Sequence, residues 1–257
     1  MTDHHRRGER SGSGTGRRLI VGLQPVREAI RARGAAVLEV LVTRSHTPSP
    51  RREALARFAT DQGIAVRRVP RSDIDKLSGG VRHQGVAAFA PPLKLHSLET
   101  LPLGSTSLVV VLDGITDPHN FGATLRSAVA FDATAVLWGE HGAAPLTPAT
   151  YRASAGAVEH ATLCQVPSLR AALTRLAEAG LRTVALDASA TVTLAEIDLA
   201  GPVAITVGAE DTGVSRGVRR QCADRARLPM GSRIDSLNAS VAAAVGLYEC
   251  RRQRELG

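Results

Sequence analysis

Two apolar runs constrain this chain most: Leu108-Val109-Val110-Val111-Leu112 and Val203-Ala204-Ile205-Thr206-Val207. Each is too short for a buried helix and shows no clean alternation of polar and apolar residues, the pattern of a strand covered on both faces. Further strands are expected at 134–138, 162–166, 182–187 and 226–229. Between and after them fall helices at 120–131, 148–156, 168–179, near 215–222 and at 236–254; in the third, Leu169, Leu173 and Leu176 share one face. This alternation predicts an α/β fold with a mostly parallel sheet and helices on both sides.

The first half repeats the alternation on a smaller scale. Strands are expected at 19–21, 37–42, 65–69 and 86–90, with helices around 26–30, stopped by Gly34, and at 51–59. The expected division is a disordered basic tail at 1–16, a small α/β domain at 17–90, a proline-rich linker at 91–104 and a larger α/β domain at 105–257. The tail has almost no apolar side chains to offset the entropy of ordering, and the linker suggests two independently folding units.

The net charge of +8 favours a polyanionic partner, because Lys and Arg gain affinity by displacing counterions from phosphates. No apolar run approaches the roughly 18 residues of a membrane span, and the N-terminus lacks the apolar core of a signal peptide. The cytoplasm is therefore the expected location, with no membrane partner. Three cysteines, Cys164, Cys222 and Cys250, have no metal-ligand spacing and are too few for a disulfide framework, so no metal site is expected.

The segments after the apolar runs carry the residues suited to chemistry. After the second run stands Gly208-Ala209-Glu210-Asp211-Thr212-Gly213. Its glycine spacing is that of a triphosphate-binding loop, but Val214-Ser215 stands where Lys-Ser/Thr is needed, and two carboxylates lie inside it. It suits an adenosine-containing ligand with a cationic sulfonium better than a phosphate, and it equally fits a simple turn. After the first run comes Asp117-Pro118-His119-Asn120-Phe121-Gly122, with Arg126 beyond it; His119 and Asn120 are placed to cap a helix. A capping asparagine with a surface arginine is a common structural pairing, so the spacing alone assigns no reaction. The third motif is Leu228-Pro229-Met230 followed by Ser236-Leu237-Asn238-Ala239-Ser240. Ser236 is the expected N-cap of the last helix, on which Leu237, Val241, Ala244, Val245 and Tyr248 form an apolar face. A dinucleotide-binding G-x-G-x-x-G after the first strand is missing, which disfavours a nicotinamide-dependent dehydrogenase.

In chain order, from Asp117 through Gly208 to Leu228, the three motifs resemble those of the SpoU (TrmH-like) RNA ribose 2′-O-methyltransferases of the SPOUT superfamily, over roughly residues 105 to 250. Upstream, Ile20 to Ala29 and Ser78-Gly79-Gly80-Val81-Arg82-His83-Gln84-Gly85-Val86 resemble the opening and close of that family's small substrate-binding domain, which is similar to RNA-binding ribosomal proteins. Tyr151 to Ala157 resembles a turn presented near the active site. Two departures are local: Gly231 directly follows Met230, with Ser232 in the usual glycine place, and Ala239 replaces the commoner valine.

The resemblance implies a C-terminal trefoil-knot domain that binds S-adenosylmethionine and pairs as a homodimer. It implies cofactor contacts from Gly208, Leu228 and Leu237, completed by Glu210, Met230, Ser236 and Asn238. Arg126 would act on the ribose 2′-hydroxyl, and Asn120, Glu210, Ser236 and Asn238 would hold the site together. Arg126, Arg152, Arg82 and His83 would meet RNA, although His83 equally fits a turn-stabilising role. The implied substrate is large-subunit ribosomal RNA, methylated at a guanosine. The alternatives are transfer RNA, an antibiotic-binding adenosine of ribosomal RNA, and an RNA-binding scaffold without catalysis.

Overall fold

The structure is a computed structural model describing residues 16–44, 49–144 and 146–256; all of the expected tail except Gly16 lies outside the described residues. The first half contains β1 (Arg18–Val21), α1 (Leu23–Arg33), β2 (Glu39–Thr43), α2 (Pro50–Asp61), β3 (Val66–Val69), α3 (Arg71–Ser78) and β4 (Val86–Ala90). These strands form one sheet in the order β1-β4-β2-β3, with β2 and β3 parallel and the other pairs antiparallel. Helix α3 was not expected from the sequence. It buries only Ile74 and Ser78, too few positions to establish a helical period.

The second half contains β5 (Leu108–Asp113), α4 (Pro118–Ala130), β6 (Ala135–Gly139), α5 (Pro148–Ala153), β7 (Leu163–Val166) and α6 (Leu169–Glu178). It continues with β8 (Arg182–Leu186), β9 (Val203–Gly208), α7 (Arg216–Arg219), β10 (Asp224–Ala226) and α8 (Ala239–Leu256). All six strands are parallel, in the order β10-β8-β9-β5-β6-β7. The sheet shows why β5 is apolar throughout. Leu108, Val110 and Leu112 face the layer holding Phe121, Leu125, Ala243 and Leu247, whereas Val109 and Val111 face Leu169, Leu173 and Leu176. Each side of the strand meets helices, so neither has a polar row.

Three expectations about the C-terminal helix need correction. It begins at Ala239 rather than 236, and its N-cap is Asn238 rather than Ser236: the Asn238 Oδ1 accepts from the amides of Ser240 (3.0 Å) and Val241 (3.2 Å). Its core stripe is Ala239, Ala243, Leu247 and Cys250, while Val241, Val245 and Tyr248 are exposed and Leu237 precedes the helix. The small side chains of the true stripe hide it from a reading by hydrophobicity. The strand expected at 226–229 is β10, ending at Ala226. Similarly, α4 is capped by Asp117, whose carboxylate accepts from the His119 amide at 3.0 Å; Asn120 lies inside the helix.

The segment 91–104 is packed chain rather than a free tether. Leu93 packs on the core, His96 N donates to Leu163 O at 2.8 Å, and Leu101 is buried. One apolar cluster contains Ile20, Val26 and Ile30 from the first half and Tyr151 and Val158 from the second. Across this junction Arg18 donates to both oxygens of Glu159 at 2.6 Å, and Arg33 adds a contact at 3.3 Å. The side chain of Glu159 is 1% exposed and that of Arg18 is 9% exposed. Gly156 completes the fit: a Cβ there would lie 2.7 Å from Glu28 Cβ and 2.9 Å from Pro25 Cα. The two halves thus share a core, contrary to the expectation of independent folding.

Removing one member of a buried pair leaves the other charge without compensation, at a cost of about 3 kcal/mol or more. Glu159→Ala is therefore expected to lower the unfolding free energy by about 3 kcal/mol in urea titration. A change below about 0.5 kcal/mol, the scale of an ordinary surface substitution, would contradict this role for the pair.

Candidate active site

The three motifs meet at the carboxyl end of the six-stranded sheet, on three different elements. Asn120 comes from the first turn of α4, Glu210 from the loop after β9, and Asn238 from the cap of α8. Asn120 Nδ2 donates to Glu210 Oε1 at 2.7 Å, and Asn238 Nδ2 donates both to Asn120 Oδ1, at 2.8 Å, and to Glu210 Oε1. One carboxylate oxygen therefore takes two amide donors from chain segments far apart in sequence. Asn238 uses its own carbonyl oxygen to cap α8, so a single side chain both starts the helix and closes the cluster.

The loop that presents Glu210 has a backbone reason for its glycine. At Gly208 a Cβ would lie 1.9 Å from the carbonyl carbon of Gly213 and 2.1 Å from the Val214 nitrogen. The loop folds back on itself there, with Gly213 N donating to Ala209 O at 2.8 Å, and Gly213 adopts a left-handed φ of 63°. Below it, Asp113 Oδ2 at the end of β5 accepts from Ser215 N at 2.7 Å and ties the loop's exit to the central strand.

Beside the cluster lies a cavity of about 390 Å³. Its wall includes Gly208, Glu210, Leu228, Met230, Ser236 and Leu237, all predicted from sequence, and an adjoining hollow of about 240 Å³ runs past Asn120 and shares Glu210 with it. Asp187, Ser189 and Arg219 also line the cavity and were missed. Burial opposes ionisation of Asp187, but hydrogen bonds from Ser189 and Arg225 outweigh it and hold the carboxyl below its ordinary range. Arg219 Nη1 and Arg225 Nε reach the same oxygen at 3.2 and 3.0 Å, fixing the strand-end loop that bounds the cavity. The signal for Asp187 was its position just beyond an apolar strand, where ligands of parallel sheets gather.

Other predicted residues lie elsewhere. Arg126 is exposed on α4, and no hydrogen bond or ion pair joins it to the cluster among the described residues. Arg152 is half-buried at the junction of the two halves, where its Nη1 is 3.1 Å from the Cβ position of Gly22. Arg82 and His83 line a separate basic hollow with Arg52 and Arg71. His83 itself is buried, with Nε2 2.7 Å from Asp75 Oδ1 and Nδ1 accepting from Gly85 N at 3.0 Å. It is the turn-stabilising histidine of the two sequence alternatives, since both ring nitrogens are committed. Among the described residues no group of three His, Cys, Asp or Glu is placed to hold a metal, and no helix is long and apolar enough to cross a membrane.

Comparison with known proteins matches this arrangement to the SpoU rRNA Methylase family over residues 107–248. The chain belongs to that family. Residues 19–96 match a second family, described as RNA 2′-O ribose methyltransferase substrate binding. A Mycolicibacterium vanbaalenii protein named an uncharacterized tRNA/rRNA methyltransferase is 38% identical, covering 92% of this chain and 76% of the relative. The SpoU methyltransferase AviRb of Streptomyces viridochromogenes, solved in complex with AdoMet, has a TM-score of 0.77 at 26% identity, covering 94% of this chain and 92% of that one. A structure described as an RNA 2′-O ribose methyltransferase has a TM-score of 0.78 at 29% identity, covering 93% and 90%.

The Asn238 geometry separates its two duties. Aspartate caps helices as well as asparagine does, but Asn238→Asp replaces an amide donor with a second carboxylate against Glu210. The variant is expected to lose about 1 kcal/mol at neutral pH, modest because the site is open to solvent. Repulsion raises the proton affinity of the pair in the folded state, so the deficit is full at neutral pH and shrinks as pH falls through the carboxylate range. Urea titrations at pH 7 and about pH 4.5 check this; a deficit independent of pH would show that the two carboxyls do not face each other.

Proposed function

We propose that this chain transfers a methyl group from S-adenosylmethionine to a ribose 2′-hydroxyl of large-subunit ribosomal RNA, at a guanosine. The observation that carries the reading is the closure of Asn120, Glu210 and Asn238 beside the 390 Å³ cavity. That volume falls within the range of sites for small molecules and cofactors. The Gly208 loop, folded too tightly for a side chain, leaves backbone groups facing the cavity, and Leu228, Met230 and Leu237 add an apolar wall. Asp211 and the ionised Asp187 add negative charge, suited to a sulfonium. Gly208, Leu228 and Leu237 would hold the cofactor, with Met230 and Ser236 at its edge. When bound, S-adenosylmethionine supplies an electrophilic methyl carbon.

The chain's own residues have the remaining tasks. The 2′-hydroxyl is a weak nucleophile until its proton is shared or removed. Arg126 is the residue assigned to it. A guanidinium, protonated below about pH 12, is a poor base and a good partner for developing alkoxide charge, so Arg126 would stabilise the oxygen while the hydroxyl proton passes to water, the methyl–sulfur bond breaks and the neutral thioether S-adenosylhomocysteine departs. Asn120, one and a half turns before it on α4, is locked to Glu210 and Asn238 and so fixes the helix that carries Arg126. Arg152 and Arg82 would bind RNA phosphates.

The protein acts as a homodimer through its methyltransferase domain. Support comes from α8, where Val241, Val245 and Tyr248 are 46%, 41% and 55% exposed in the single chain, and from the adjacent α4, where Arg126 is exposed and outside the cluster. A partner covering that face would bring Arg126 beside a site completed across the interface. A C-terminal trefoil knot is part of the same reading: the segment 192–199 holds residue 227 through backbone hydrogen bonds and α8 through Gln253. The cytoplasm is the assigned location. Cys164 and Cys250 are buried free thiols whose pKa values burial pushes up to about 11 and about 12.

Single-turnover methyl transfer to isolated ribosomal and transfer RNA tests the assignment, with calorimetric cofactor affinity and sedimentation measured on the same preparations. The wild type should be dimeric and should label ribosomal RNA at a 2′-oxygen. Arg126→Ala should lose at least about 10²-fold in rate with cofactor affinity unchanged, and Arg126→Lys should fail nearly as badly, because an ammonium cannot reproduce the planar fork. Wild-type rates in Arg126→Ala would move catalysis elsewhere, and preferential labelling of transfer RNA would replace the substrate.

A further inference from the structure

A groove of about 590 Å³ lies between α1 and α2 in the first half of the molecule. Its lining includes Phe58, half-buried against the core, the exposed Ala54, and the cations Arg27, Arg31 and Arg51. Arg31 is paired with Glu28 at 3.0 Å, whereas Arg27 and Arg51 make no hydrogen bond or ion pair among the described residues. An aromatic ring beside several cations in one groove is the combination that holds single-stranded nucleic acid, with a base against the ring and phosphates on the cations. A duplex keeps its bases stacked inside and offers no base to such a groove.

Gln84 closes one end of the groove. It is exposed and adopts a left-handed φ of 56°, a backbone conformation that a residue with a side chain keeps only where its surroundings impose it. Its Oε1 accepts from the Leu23 amide at 3.4 Å and lies 3.6 Å from the Cβ position of Gly22. With Oε1 engaged by Leu23 N, the Nε2 group makes no hydrogen bond among the described residues and presents its donors to an acceptor on the edge of a base. Arg152 Nη1, from the methyltransferase half, is 3.1 Å from the same Gly22 position. The mouth of the groove therefore opens beside the half of the molecule that carries the Glu210 cluster.

We infer that the α1–α2 groove captures one unstacked base of the RNA substrate, flanking the nucleotide to be methylated. Phe58 is the stacking face, Arg27 and Arg51 hold the neighbouring phosphates, and Gln84 meets the base edge. The inference rests on the RNA methyltransferase reading for the identity of the strand, and it adds a place where sequence context is sensed away from the reaction.

The test uses the full chain and a fluorescein-labelled, 4-thiouridine-containing single-stranded RNA of about 12 nucleotides, a length within the range such grooves cover, with the same sequence as a duplex. The single strand should bind more tightly than the duplex, and its photocrosslinks should map to α1, α2 or the turn at 83–85. Phe58→Leu, which keeps an apolar side chain and removes the ring, should weaken single-strand binding about tenfold, the scale of one lost stacking partner. Ala54→Glu and Arg27→Glu, both on exposed helix faces, should do the same with cofactor affinity unchanged. Wild-type binding by all three variants, or crosslinks confined to other segments, would overturn the inference. Intact groove binding with no methyl incorporation into ribosomal RNA would support the groove and count against the proposed reaction alone.

Discussion

The site is organised by one carboxylate oxygen, Glu210 Oε1, on which the amides of Asn120 and Asn238 converge. Its value is positional more than energetic. Glu210 and Asn238 are exposed, and hydrogen bonds between solvent-exposed groups contribute little net stability. What the oxygen does is register three elements against each other: the start of α4, the loop leaving β9 and the cap of α8. The Gly208 closure makes that possible, because a side chain there would force the loop open and move Glu210 away from both amides. Helix α8 then anchors the other end of the arrangement, with Gln253 bonded to Leu199 N and Ile197 O, and Arg254 donating to the carbonyls of Thr106, Ser107 and Gly201.

A second constraint lies at the junction of the two halves. The bidentate Arg18–Glu159 pair is nearly dry, and the Gly156 backbone comes too close to α1 to admit a Cβ. The first half, which matches a substrate-binding family, is held so that its basic surfaces lie at a fixed distance from the carboxyl end of the six-stranded sheet, where the proposed reaction would take place. Reach is set by shape rather than by a flexible tether, so a target nucleotide has to lie at a matching distance from the feature that the first half recognises.

The central strands are legible in the sequence because β5 and β9 are apolar on both faces, a pattern few other elements share. The cluster is legible only in part. Asn120, Glu210 and Asn238 stand out through the resemblance of their motifs to those of the SpoU family, but no spacing could reveal that they share one oxygen. Asn238 is obscured as the cap by Ser236, a good capping residue two positions earlier. The buried stripe of α8 escapes notice because Ala239, Ala243 and Cys250 are small, while the larger Val241, Val245 and Tyr248 face outward. Arg18 and Glu159 cannot be paired from sequence at all, since they are 141 residues apart and neither lies in a motif. Proline content at 91–104 suggests a loose connection, yet Leu95 and His96 pair with Leu163 of β7 and Leu101 is buried.

In the proposed reaction three distant segments form one binding surface for the methyl donor. Amide hydrogen exchange of the full chain with and without S-adenosylmethionine tests this most directly. Added protection is expected in residues 208–214, 228–230 and 236–241 together, with the α1 and α2 amides unchanged. Protection confined to one of these segments, or arising chiefly in α1 and α2, would contradict a shared surface.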